Sequence, residues 1–173
     1  MDSKQFNNQI VTLSDKFFRM AKSILRNADS AQDAVQDLIA KLWEKRASLD
    51  EVENIQAFSM RSMRNLCLDV IRQRHDEQEI PPEAEYVELN PHQQLEQNDM
   101  IQRIKLMIDS LPELQRTVIR MRDVEGLELS EIAYITTLTE NAVSVNLSRA
   151  RQKIREKILI EQKQINQTIY GKS

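Results

Sequence analysis

Glycine is nearly missing from these 173 residues, occurring only as Gly126 and Gly171. With one glycine in the interior there is no glycine-rich loop to cradle a phosphate. Aromatics make up only 5% of the chain and prolines number four, so strand and turn formers are scarce. One cysteine, Cys67, excludes an internal disulfide; it sits in an apolar helical run, which favours a buried, inert thiol. The two histidines, His75 and His92, have no cysteine at metal-ligand spacing, and no carboxylate pair stands out among the many present. These gaps argue against an enzyme, a metal site, a cofactor or a small-molecule substrate. The start, Met1 to Ile10, is polar, and no stretch approaches the ~20 apolar residues of a membrane span. A cytoplasmic protein without membrane insertion is expected.

What remains is rich in Leu, Ile, Met, Ala, Glu, Gln, Lys and Arg, the composition of helices. Hydrophobic residues at 40% and charged residues at 29% suit a folded globular chain. The net charge of −3 conceals a polarity. Residues 76–99 hold eight acids, no Lys or Arg, and Pro81, Pro82 and Pro91; outside them 24 bases face 19 acids. Such a segment neither continues a helix nor builds a core. The expected architecture is all-α: two small helical domains, 1–75 and 100–160, joined by a flexible acidic linker over 76–99, with a tail over 161–173.

In the first half, Phe17, Phe18, Ala21, Ile24 and Leu25 follow helical spacing. Asp29 and Ser30 offer caps for a run from Ala31 to Lys45, whose apolar side is Ala31, Ala34, Val35, Leu38, Leu42 and Trp43. A third run, Ile55 to Arg74, turns Phe58, Met63, Leu66, Cys67, Val70 and Ile71 inward and leaves Arg61, Arg64, Arg72 and Arg74 outside. In the second half, Ile101, Ile104, Met107 and Ile108 share one helical face. Ser110-Leu111-Pro112-Glu113 reads as a capping box opening a second helix through Arg122. A short helix, Glu128 to Ile135, a break at Thr136-Thr137-Leu138-Thr139 and a long helix from Glu140 to about Ile160 outline a helix-turn-helix. In that last helix Val143, Leu147, Ala150, Ile154 and Ile158 form the inward stripe. Arg149, Arg151, Lys153, Arg155 and Lys157 oppose only Glu140 and Glu156. A solvated amphipathic helix and a DNA-reading helix both fit that charge pattern; the Glu131-Ile132-Ala133 before the break and the Thr cap after it favour DNA.

Ser110-Leu111-Pro112-Glu113-Leu114-Gln115-Arg116, Glu125-Gly126-Leu127, Glu131-Ile132-Ala133 and Ser148-Arg149-Ala150-Arg151 closely resemble region 4 of extracytoplasmic-function sigma factors. Asp33-Ala34-Val35-Gln36-Asp37 with Lys41-Leu42-Trp43 resembles the polymerase-binding helix of region 2. Ala57-Phe58 through Arg64-Asn65, then Asp69-Val70-Ile71-Arg72, is similar to its promoter-melting helix. The resemblance covers most of residues 5–160.

It implies a sigma factor that binds core RNA polymerase, recognises the −35 and −10 promoter elements and melts the latter. Asp33, Gln36, Asp37 and Lys41 would meet the β′ coiled coil, unless that face is merely solvated. Arg61, Arg64, Asn65, Arg72 and Arg74 would hold the −10 strand, with the loop from Arg46 to Asn54 forming a base pocket. Asn141, Ser144, Val145, Ser148 and Arg149 would face −35 bases, with Arg116 and Arg151 nearer phosphates. The β flap and an anti-sigma factor are further implied partners. The acidic linker is either a solvated tether or an occupant of the RNA exit path. Two departures stand out: Ser144 and Asn146 where Lys or Arg is common, and Thr137 where the turn usually has Gly, a place for strained left-handed backbone. Two other readings remain: a stand-alone helix-turn-helix regulator with an N-terminal sensor, opposed by the polymerase-type motif, and a pure protein-interaction module, opposed by the basic helix.

Overall fold

Short polar side chains begin four of these helices, and left-handed residues end two of them. In the computed structural model, which describes residues 1–77 and 99–171, eight α-helices carry the described residues and no strand occurs among them. Asp2 caps α1 (Ser3–Gln9), its carboxylate accepting the Gln5 N–H at 2.8 Å. This helix lies in the stretch read above only as polar; it exists to bury Phe6, with Ile10 just beyond it. A 3₁₀ turn leads into α2 (Ser14–Leu25), which faces Phe17, Met20, Ala21 and Ile24 inward. Arg26, at φ 58°, stops it. The chain has then already turned, so Asn27 rather than Asp29 or Ser30 caps α3 (Ala28–Glu44), accepting the Ser30 N–H at 2.8 Å. After a second 3₁₀ turn, Arg46–Glu51, Asn54 accepts the Ala57 N–H at 2.9 Å and starts α4 (Ile55–Glu77). Trp43, expected inside, is 37% exposed, held by the edge of Phe6 at 5.0 Å and by Arg46 at 4.3 Å.

The acidic segment falls almost wholly outside the described residues. The chain resumes with α5 (Asp99–Asp109), on which Met107 and Ile108 are buried but Ile101 is exposed. The expected capping box does not form. Ser110 donates its hydroxyl to the Met107 carbonyl at 2.7 Å, closing α5, and Pro112 precedes α6 (Glu113–Ile119). The helix then widens into a π turn, Arg120–Val124, which Gly126 closes at φ 73°. Next come α7 (Leu129–Thr136) and α8 (Glu140–Tyr170), which runs ten residues past the expected end near Ile160.

Helices α2, α3 and α4 pack together, as do α6, α7 and α8. The two groups also touch: α2 lies against α6, and α4 against α7. Met60 and Met121 are buried near this boundary, and one continuous apolar core runs through both groups. Burying a side chain of this size contributes about 1.5–3 kcal/mol, so the contact is a substantial part of the fold.

Candidate functional site

Three helix faces hold most of the expected residues. On α3, Asp33, Gln36, Asp37 and Lys41 are exposed, while Ala34, Val35, Leu38 and Leu42 fill the opposite, buried stripe. The three charged members have no ion-pair partner among the described residues. Their carboxylates and ammonium are therefore directed to something outside this chain or to water.

On α4, helical spacing brings Arg61, Arg64, Asn65 and Arg72 to one side, and Arg74 lies about half a turn round from them. Arg74 donates to the Ser30 hydroxyl at 2.6 Å, and so pins α4 to the start of α3. Asn65 and Arg72 are exposed, Arg72 reaching Asp69 at 3.0 Å. Arg61 and Arg64 are partly covered by the second group of helices. The Arg61 guanidinium lies 4.8 Å from the ring centre of Tyr134 on α7. The Arg64 side chain is 11% exposed and stands 3.7 Å from Glu113. Beside them the Asn54 amide donates to Glu131 at 2.8 Å. A cleft of about 470 Å³ opens there, walled by Val52, Asn54 and Phe58 on one side and Glu131 and Tyr134 on the other.

On α8, Asn141, Val145, Ser148 and Arg149 are exposed and Ser144 is half-buried; Val143, Leu147 and Ala150 anchor the helix from behind. Thr139 caps it, its hydroxyl accepting the Ala142 N–H at 3.1 Å. The preceding turn contains Thr137 at φ 59°, ψ 30°, left-handed without glycine. Arg151 is exposed but bound through both ends of its guanidinium to Asp123, at 3.0 and 2.6 Å; that pairing raises its pKa. Arg116 is not part of this face. It is 4% exposed, donating to the Ser23 hydroxyl at 3.2 Å and the Leu111 carbonyl at 2.8 Å. Burial lowers its pKa to about 10, Arg26 adding to the effect while Glu113 and Asp109 oppose it.

Residues 10–77 match the family model of sigma-70 region 2, and residues 101–154 match that of sigma-70 region 4. The chain belongs to the sigma-70 family. It is a sigma factor of the extracytoplasmic-function type. It is 28% identical over 140 residues to the RNA polymerase sigma factor SigV of Bacillus subtilis, covering 80% of this chain and 82% of that protein. To the extracytoplasmic-function sigma factor SigW of the same organism it is 22% identical over 169 residues, covering 91% and 90%. A solved structure of the sigma factor RpoE with the anti-sigma factor NepR, from Bartonella quintana, shares the fold with a TM-score of 0.70 at 24% identity, covering 91% of this chain and 98% of that one.

Region 2 thus includes α2, α3 and α4, and region 4 includes nearly all of α5, then α6, α7 and the first half of α8. The contacts between the regions are what inspection of the sequence missed. Arg19 of region 2 holds Glu125 of region 4 through two bonds, at 2.7 and 2.9 Å, and Arg26 donates to the Asp109 carbonyl. Glu125 was visible only as part of a motif, and Tyr134 drew no notice; no local pattern reports a partner 73 or 106 residues away. Among the described residues no helix is long and apolar enough to cross a membrane.

Proposed function

We propose that the exposed face of α3, carrying Asp33, Gln36, Asp37 and Lys41, docks this sigma factor onto the β′ coiled coil of core RNA polymerase, and that α4 and α8 then engage the −10 and −35 elements. As a sigma factor the chain works by binding core polymerase and recognising promoters; the residue roles are the new step. One observation carries them. In a chain matching regions 2 and 4, α3 and α8 each commit one side to the core and leave the other exposed. A face of two carboxylates and an amide suits a basic partner helix. Arg61, Arg64, Asn65 and Arg72 form the stripe to grip single-stranded DNA, where charge on the backbone and stacking of bases dominate binding. Arg74 would assist only after leaving Ser30.

Asn141, Ser144, Val145, Ser148 and Arg149 would lie in the major groove, where one good bidentate pair is worth roughly 1–3 kcal/mol of discrimination. Arg151 would contact phosphate from the Asp123 pair, while Arg116 is better assigned to holding the fold. The end of the loop from Arg46 to Asn54, residues Val52 to Asn54, lines the cleft in front of α4, and this loop would receive a −10 base. Each region alone binds weakly; polymerase fixes their separation, and the covalent link between α4 and α5 raises the effective concentration of the second contact. The β flap would take region 4. The protein has no catalytic task in this scheme and works in the cytoplasm, where polymerase is. An anti-sigma factor as regulator is supported by the likeness to a sigma factor solved with one. A stand-alone regulator is disfavoured, since residues 10–77 match region 2 rather than a sensor.

The test is run-off transcription with core polymerase and the promoter upstream of the protein's own gene. Product is expected only when the chain is present. Asp37→Arg is expected to abolish pull-down of the β′ coiled coil with unfolding unchanged; full pull-down by that variant refutes the α3 assignment.

A further inference from the structure

We infer that region 4 carries a built-in substitute for nucleic acid, formed by Tyr134, Glu131 and Glu113, which covers part of the −10 face of α4 until the regions separate. This rests on the assignment of Arg61 and Arg64 to single-stranded DNA. A strand would offer these arginines stacked bases and phosphate oxygens. The closed chain offers chemical equivalents in the same places. The Tyr134 ring takes the Arg61 guanidinium at 4.8 Å, as a base would, and Glu113 brings a carboxylate to Arg64. The Glu131 carboxylate takes the Asn54 amide at 2.8 Å, at the mouth of the cleft where a flipped base would enter. Strand and substitute cannot occupy the face together, so each excludes the other.

The cover is selective. Asp33, Gln36, Asp37 and Lys41 stay exposed, so a closed chain is still competent to dock on polymerase through α3. The cover is also built to be released. The Arg64–Glu113 approach is long for an ion pair, and the Arg64 Nε is buried without a hydrogen-bond partner among the described residues. Opening satisfies that donor. The bidentate Arg19–Glu125 pair, which lies outside the −10 face, acts as the latch at the boundary.

The experiment uses the full chain in three forms: wild type, Arg19→Glu with Tyr134→Ala, and the charge swap Arg19→Glu with Glu125→Arg. Small-angle scattering reads compactness, and fluorescence anisotropy reads affinity for a labelled random-sequence single strand of about 15 nucleotides, a length that spans one single-strand site. The first variant is expected to expand and to bind the strand at least about fivefold more tightly, the lower bound of ordinary coupling between sites. It does so although Arg19→Glu removes positive charge, which by itself weakens DNA binding. The charge swap is expected to stay compact and bind like wild type. An expanded variant with unchanged or weaker strand affinity overturns the inference, and so does a variant that remains as compact as wild type. Run-off transcription separates this from the sigma-factor reading: wild type that transcribes while the opened variant gains no strand affinity sinks the cover alone, whereas failure of transcription sinks the parent reading.

Discussion

Arg116 and Arg149 bring the same charge to region 4 and end in opposite environments. Arg116 is enclosed, feeding the Leu111 carbonyl and the Ser23 hydroxyl; Arg149 is exposed on α8. Removing Arg116 leaves buried acceptors without a donor, which costs about 1–3 kcal/mol. Arg116→Met is therefore expected to lower the urea midpoint clearly. Arg149→Ala is expected to stay within about 0.5 kcal/mol of wild type in stability, yet to lose transcription from −35-dependent promoters. The opposite ranking in unfolding would mean that the two roles are exchanged. Cys67 is governed by the same physics of enclosure. Burial, with Glu113 nearby, pushes its thiol from the ordinary 9.0 up to about 12. The raised value favours the protonated folded form, so this contribution to stability is complete below pH 9 and is lost as pH rises from 9 through 12. Unfolding midpoints across that range should fall less steeply in Cys67→Ala. Thiol-reactive reagent at neutral pH should label wild type only in denaturant; rapid labelling of the folded chain would contradict a buried thiol.

Helices are the level at which the sequence speaks most clearly, and their ends the level at which it speaks least. The spacing of Phe17, Ala21 and Ile24, or of Val143, Leu147 and Ala150, locates α2 and α8 because a 3.6-residue period survives any tertiary context. The start of α3 does not follow from Asp29 and Ser30, since Arg26 has turned left-handed upstream and made Asn27 the cap. The π turn at Arg120–Val124 has no local signature, and α1 was hidden because seven residues around Phe6 are too few to show a period. Two left-handed positions allow a paired test. Gly126 sits at φ 73° with nothing within 4 Å of an added Cβ, so Gly126→Ala costs conformation alone, roughly 1 kcal/mol. Thr137 has the same handedness with a β-branched side chain, a less favourable occupant than glycine. Thr137→Gly should release that strain, about 1–2 kcal/mol, against about 0.4–1 kcal/mol of added freedom in the unfolded chain. A higher urea midpoint for Thr137→Gly and a lower one for Gly126→Ala are expected. A loss in both would show that the Thr137 hydroxyl, donating to the Thr136 carbonyl at 2.6 Å, outweighs its backbone strain.

At the scale of the whole molecule, motif order revealed two regions but not their embrace. Residues 33–41 and 141–149 each carry their own periodicity, so both outward faces could be named from the sequence. Arg61 against Tyr134, or Arg19 against Glu125, depends on how two folded surfaces meet, and that information is spread over every helix involved. The consequence is cooperative. Met60 and Met121 lie in one core shared by both regions, so separating them exposes apolar surface on each side. In the closed chain, unfolding region 2 removes the surface against which α6 and α7 pack. Trp43, the single tryptophan, lies in region 2, where Phe6 and Arg46 hold its ring, and so reports on that region alone. Far-UV ellipticity reports helices of both. Urea transitions followed by Trp43 fluorescence and by ellipticity are expected to coincide in wild type, as two-state behaviour requires. With Arg19→Glu and Tyr134→Ala the regions lose their latch and cover, and the two transitions should move apart. Separate transitions already in wild type would show that the shared core contributes too little to couple the regions, and that region 4 stands on its own packing of α6 and α7 against α8.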